Sequence, residues 1–376
     1  MKTKEEVRAE AVELVKSRTN FLGADEGTTV VGIQVATTVS EYIDQFFDDD
    51  RNQFDVIEAE SEIVSDVVNP STGHPSTIFD HASKLDVIAF DRYANEVIAI
   101  EHKSSSADLS PGSHYWRRLN LDAQVSKYLL SLRQSGRHEV RSCLYDVAAK
   151  PATMPKAVSA GNVREIAESG SFCGLTVSET TREIVARRFA AETGPKGGFV
   201  GKFHESEAPE LYGLRLRSLI RIDPSVWFGR LIVTRTDEEL ELYARELWEL
   251  TADVRRSRRT AISPRNSSAC WSFSRACEFF DVCTGTEDVE DRSLFERLDS
   301  VHVELATDFP DRGRDVITNS RLGTFLQCRE KHRLKYEEGF APVGRSDSGA
   351  LFWGSLFHEA LEIIWNSHRV PKGEKI

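Results

Sequence analysis

No run of apolar residues in this chain approaches the roughly 20 that a membrane span requires, so a helical membrane protein is set aside. Cysteine is sparse as well. Six cysteines in 376 residues are too few for a disulfide-built scaffold, and three of them, Cys270, Cys277 and Cys283, crowd together. That points to a metal cluster or to ordinary reduced thiols. The absence of any fixed-period repeat or low-complexity tract excludes collagen-like and coiled-coil architectures. Positive charge is in deficit: 48 basic against 60 acidic residues leave a formal net charge of -12. This is the wrong sign for coating nucleic acid by bulk attraction, so any such contact must be local. The opening MKTKEEVRAEAVELVK has neither the apolar core nor the small-residue cleavage site of a secretion signal. A cytoplasmic location without a membrane partner is expected.

With 40% hydrophobic and 29% charged residues, the chain suits one large globular domain or two ordinary ones. Residues 5–18 and 30–47 read as amphipathic helices, the second closed by Asp48, Asp49, Asp50, Arg51 and Asn52. Residues 54–68 alternate with strand period and 69–76 form a loop. The β-branched runs 85–91 and 96–104 are joined by Arg92, Tyr93, Ala94 and Asn95, a connection short enough for a hairpin. A long helix from about Trp116 to Gln134 and a strand over 141–151 follow, an α/β order. The chain then turns mostly helical, with a charged helix from about Asp237 to Arg259. Glycine-rich GPKGGFVGK (194–202) fails as a nucleotide loop, because Lys196 stands where the motif's first glycine belongs and Phe203 where its Ser or Thr belongs.

Two basic patches could grip a phosphate backbone or form a plain solvated face. One comprises Arg117, Arg118, Lys127, Arg133, Arg137 and Arg141, the other Arg255, Arg256, Arg258 and Arg259.

The chemistry concentrates in IAIEHKS. Side chains at i and i+2 share one face of a strand, so Glu101 and Lys103 point together while His102 points away. The hairpin returns Asp86 to the same end of the sheet. Two carboxylates converging with a lysine suit metal-assisted phosphodiester hydrolysis: hard oxygen ligands hold Mg2+ or Mn2+, and the lysine orients or helps deprotonate the attacking water. The plainer reading of the same residues is a surface ion pair.

The array LDVIAFDRYANEVIAIEHKSS followed by LDAQVSKYL resembles the PD-(D/E)XK nuclease superfamily, in its branch of RecB-type, CRISPR-adaptation and related phage nucleases. The family pattern of Asp, then (D/E)-x-K, then Q-x-x-x-Y falls on Asp86, on Glu101 with Lys103, and on Gln124 with Tyr128. The resemblance implies a restriction-endonuclease-like core, a mixed central sheet flanked by helices, with an additional helical region. It also implies a Mg2+- or Mn2+-dependent deoxyribonuclease, an exonuclease or a recombination or repair enzyme, in a bacterial or phage-infected cell. DNA would be its partner, with Arg117, Arg118 and Lys127 as candidate DNA contacts. No helicase motif is present, so a helicase or recombination protein would do any unwinding. The alternative is a catalytically impaired DNA-binding or assembly module on the same fold.

Two further segments resemble parts of that branch. PRNSSACWSFSRACEFFDVC (264–283) has the spacing C-x6-C-x5-C, which does not fit paired zinc knuckles. The resemblance implies a [4Fe-4S] cluster on Cys270, Cys277 and Cys283, with Cys328 of NSRLGTFLQCREKHRLKYEEG as the fourth ligand. ALFWGSLFHEALEIIW (350–365) resembles the family's G-x-x-x-H helix, implying His358 as a further metal ligand, with Gly354 before it. In the family that helix precedes the catalytic Asp, whereas here it follows. The expected organisation is therefore a nuclease core over 1–151, a helical extension over 152–285 ending in the cysteines, and a linker over 286–318. Residues 319–376 either complete the first nuclease unit in permuted order or open a second copy that stops short.

Overall fold

The computed structural model describes residues 2–19, 26–136, 138–192, 207–272, 275–302, 305, 312–344 and 349–369. The glycine-rich segment 194–202 and Arg137 lie outside the described residues. Helices α1 (Lys4–Thr19) and α2 (Glu26–Gln53) open the chain. Val7, Ala11 and Val15 recur every fourth residue, and this buried stripe of α1 packs on α2. The acidic run expected to stop α2 does not. The helix continues to Gln53 because Asp50 turns inward and pairs with Arg230 at 2.6 Å.

A long antiparallel ribbon follows, β1 (Phe54–Val68) with β2 (Pro75–Asp91), and β3 (Glu96–Ser105) pairs antiparallel to β2. Between β2 and β3, Asn95 takes a left-handed φ of 54°, and the Asp91 carboxylate accepts the Tyr93 and Ala94 N–H groups. The crossover to β4 (Ser142–Ala149), parallel to β3, runs through α3 (His114–Arg117), a 3-10 turn at Arg118–Leu121 and α4 (Ala123–Gln134). The single long helix expected there breaks at Asp122, whose carboxylate caps α4 by accepting the Gln124 and Val125 N–H groups.

The next stretch is mostly helical: α5 (Ala160–Ser169), a hairpin of β5 (Ser171–Phe172) and β6 (Leu175–Thr176), α6 (Glu179–Glu192) and α7 (Pro209–Ile222). β7 (Phe228–Thr234) then joins the main sheet antiparallel to β4, and α8 (Asp237–Thr260) begins in a capping box of Thr236 and Glu239. The cysteine region holds the short hairpin β8 (Trp271–Ser272) and β9 (Arg275–Ala276) and the turn of helix α9 (Phe280–Thr284).

The segment 286–318 is more than a linker. It carries β10 (Phe295–Arg297) and β11 (Asp315–Ile317), and β11 adds to the main sheet parallel to β2, which gives the order β1-β2-β3-β4-β7 with β11 beside β2. Arg314 anchors this strand, 3.1 Å from the buried Asp80 carboxylate. Beyond it come α10 (Asn319–Gln327), α11 (Arg329–His332), β12 (Phe340–Pro342) paired with β10, and α12 (Gly349–Asn366).

The sheet is mixed and flanked by helices on both faces. On one side α1, α2 and α12 bury Val35, Tyr42, Phe47, Trp353, Phe357 and Trp365 against Val87, Ile98 and Ile100 of the sheet. On the other, α4 covers Leu85, Ile88, Ala99 and Tyr145 with Val125, Leu129 and Leu132.

Candidate active site

Strand β3 does what its alternation predicts. Glu101 and Lys103 pair on one face, and His102 buries its ring on the other, against Trp365. The β2–β3 ladder ends at Val87 and Ile100, and just beyond it the Asp86 carboxylate accepts the His102 backbone N–H at 2.7 Å. Asp86 is thereby fixed at the mouth of a cavity of about 620 Å3 whose lining includes Glu101, Lys103, Gln124, Tyr128 and His358.

Glu101 is 1% exposed, and its Oε2 has no hydrogen-bond partner among the described residues. Burial, and next the Asp86 carboxylate, push its pKa up to about 7 against the pull of Lys103. Burial alone would lower the Lys103 ammonium, but Glu101 and Asp86 outweigh it and hold the group above its ordinary range. Lys103 is therefore a standing cation.

Gln124 and Tyr128 lie one helical turn apart on α4, and the Gln124 amide donates to the Tyr128 hydroxyl. Burial first, then Glu101 and Asp86, keep that phenol well above its ordinary pKa and hence protonated.

His358 arrives from the far end of the sequence. Its Nδ1 stands 3.8 Å from Asp86 Oδ2, and burial lowers its pKa to about 4, so the ring is neutral and able to act as a ligand. Gly354 explains how α12 comes this close. A Cβ built there would lie 3.2 Å from Ser104 Oγ, tighter than most Cβ contacts, with Lys150 Nζ at an ordinary 3.8 Å.

Three charged lining residues, Glu60, Lys84 and Lys150, escaped the sequence reading. Glu60 enters the cavity from β1 with a left-handed φ of 52° and pairs with Lys84 at 2.7 Å. Its pKa is raised chiefly by burial. Nothing in the alternating EAESEIV marks Glu60, because its left-handed φ is a local departure from extended backbone that the sequence pattern does not encode. Lys150, just past β4, also lines the cavity.

Among the candidate DNA contacts, Arg117 and Arg118 are exposed, with the Arg118 guanidinium 4.4 Å from the Tyr115 ring centre. Lys127 is a correction. It is fully buried and donates to the Ile317 carbonyl at 2.9 Å, so it reaches the inner wall of the cavity and cannot form part of an outer surface. The helix period fixed its spacing but not which face would be covered by β11. Arg258 of the second basic patch stays at the surface but is engaged by Asp315 and Glu337.

The cysteine segments gather at one place. The Cys277 N–H donates to the Cys270 carbonyl at 2.7 Å, and Asn266, four residues before Cys270, donates to the carbonyl of Gln327, beside Cys328. The Cys283 thiol lies within electrostatic reach of Cys277 and Cys328; burial, then Glu330 and those two thiols, raise its pKa. All four are free thiols.

Among the described residues, no three His, Cys, Asp or Glu side chains form a ready cage for a single metal ion. That does not count against Mg2+, which keeps several waters and takes only one or two carboxylates from the protein. The orphaned Glu101 oxygen beside Asp86 fits such a cation. The segments that carry the four thiols lie near one another, and loading a [4Fe-4S] cluster there would require the thiols to lose their protons. The chain matches no protein-family model, and no curated protein is similar enough in sequence to count as a relative.

Proposed function

We propose that this protein is a Mg2+- or Mn2+-dependent deoxyribonuclease of the PD-(D/E)XK kind, an exonuclease or a recombination and repair nuclease. One observation carries the reading. Asp86, Glu101, Lys103, Gln124, Tyr128 and His358, drawn from strands and helices up to 272 positions apart, line a single cavity. In this reading Asp86 and Glu101 hold the cation, with neutral His358 completing its shell. When bound, the ion polarises the phosphate and acidifies a water molecule. Lys103, kept charged by its carboxylate neighbours, orients that water and offsets charge building on the phosphate. The bonded Gln124–Tyr128 pair supplies a polar wall that stays protonated throughout.

The packing of α12 on α1, α2 and β3 supports a permuted order, in which residues 319–376 complete the first nuclease unit. Cys270, Cys277, Cys283 and Cys328 would then hold a [4Fe-4S] cluster beside it. Exposed Arg117 and Arg118 are the local cations that an acidic protein needs to meet DNA, and unwinding falls to a helicase or recombination partner.

The test is cleavage of linear and circular DNA with Mg2+, with Mn2+ and with EDTA. Metal-dependent cleavage of linear DNA, lost in Glu101→Gln, is expected. Metal-dependent DNA binding with no cleavage of either substrate would replace the enzyme by a binding or assembly module.

A further inference from the structure

Directly behind the site, on the opposite face of β3, lies a group of buried ionic side chains that the proposed chemistry does not use. His102 and Asp146 are cross-strand partners on β3 and β4, each 2% exposed, with His102 Nδ1 3.3 Å from Asp146 Oδ2. The same Asp146 oxygen accepts the Tyr42 hydroxyl of α2 and lies 3.1 Å from Arg230 Nη2 of β7. Arg230 grips Asp50 of α2 through two hydrogen bonds at 2.6 and 2.8 Å, and its guanidinium sits 3.7 Å from the Phe46 ring centre. From α12, Trp365 brings its ring to within 5.4 Å of the His102 ring. Tyr42 of α2 and Arg230 of β7 therefore converge on Asp146 of β4, and Asp146 and Trp365 of the tail helix flank His102, the residue that stands between Glu101 and Lys103.

The surrounding layer is otherwise built from apolar side chains such as Val87, Ile98, Ile100, Phe357 and Trp365. Buried ion pairs in such a setting are commonly no more stable than well-packed apolar replacements. Stability alone is thus a poor reason for them. Geometry offers a better one. The peptide N–H of His102 holds Asp86, and strand alternation couples any movement of the His102 ring to Glu101 and Lys103 on the other face.

We infer that His102 is a positioning residue: held between Trp365 and Asp146, which Tyr42 and Arg230 fix in turn, it steadies β3 so that Asp86 and Glu101 stay poised together for a divalent cation. The inference rests on the proposed metal-dependent activity. Partners that orient metal ligands from behind typically contribute about 10–100-fold in metal affinity or activity.

The test reads Mn2+ affinity by titration calorimetry, alongside the thermal unfolding midpoint, in wild type and variants of the full chain. His102→Leu is expected to weaken Mn2+ binding about 10–100-fold while the metal-free midpoint holds or rises. His102→Asn, which keeps a donor near the position of Nδ1, should recover most of the loss. If His102→Leu does not fold, Asp146→Asn, which keeps the shape, serves in its place with the same weakening expected. A Glu101→Gln control separates the two levels of the argument. Mn2+ binding that depends on Glu101 but is indifferent to His102→Leu and Asp146→Asn overturns the positioning role alone. Binding indifferent to Glu101 itself overturns the metal site and this inference with it.

Discussion

Ending the chain at Gly344 would remove α12 while leaving the cysteine region and β11 in place. The cost follows from burial. Leu356, Phe357, Leu361 and Ile364 are each 1% exposed against α1, α2 and the sheet. At about 1.5–3 kcal/mol for each side chain withdrawn from water, these four represent roughly 6–12 kcal/mol, before Trp353 and Trp365 are counted. That is comparable with the roughly 5–15 kcal/mol that separates a folded domain from its unfolded chain. The truncated protein should therefore fail to fold cooperatively, with urea unfolding followed by circular dichroism giving no two-state transition. A graded version is Leu361→Ala, which should cost about 2–5 kcal/mol, as large-to-small core changes do, and lower the urea midpoint without changing the slope. A soluble truncated monomer that unfolds at the full-length midpoint would refute the argument, because it would mean that α12 is an appendage and not part of the core.

Lys103→Ala should leave DNA affinity within about threefold while lowering turnover on the order of a hundredfold or more, since it removes an interaction made chiefly in the transition state; single-turnover kinetics beside a binding isotherm checks this. Because Glu101 titrates near 7 in the metal-free fold and lower in the unfolded chain, the folded state holds an extra proton between the ordinary carboxylate range and that value. Stability of the metal-free protein should thus fall as pH rises through this window, and Asp86→Asn should flatten the trend; urea midpoints at pH 5 and 7.5 would show it. Anaerobically purified protein should be brown, with Cys328→Ser losing most of its iron. Colourless protein containing neither iron nor zinc would reject the cluster.

The legible parts of this fold were those where a short period settles direction. Two-residue alternation was enough to put Glu101 with Lys103 and His102 against them, and the stripe of Leu356, Phe357, Leu361 and Ile364 demanded a covering surface. What escaped depended on partners distant in sequence. β11 is three residues long and becomes a strand only because Phe79, Asp80 and His81 lie open beside it. β7 was hidden because Arg230, in its middle, points inward to Asp50 and Asp146, so charge there does not mark solvent. Lys127 was misplaced for the same reason, and Glu60 because its left-handed φ of 52° interrupts the alternation of the strand. The acidic run Asp48 to Asp50, expected with Arg51 and Asn52 to close α2, stays helical, and its Asp50 is held by a contact 180 residues away.

The late position of α12 also bears on how the protein is made. Strands β1 to β4, most of the face of the sheet that Trp353 and Trp365 cover, are made by Ala149, yet α12 begins only at Gly349. At the roughly 5–20 residues per second of protein synthesis, that face waits on the order of 10–40 s for its cover. During this interval Val87, Ile98 and Ile100 can have α1 and α2 over them but lack the share of their cover that α12 supplies, with one long ribbon of β1 and β2 alongside. Aggregation would therefore be decided on the ribosome, and chaperone supply should govern the yield of folded protein more than the stability of the finished molecule does.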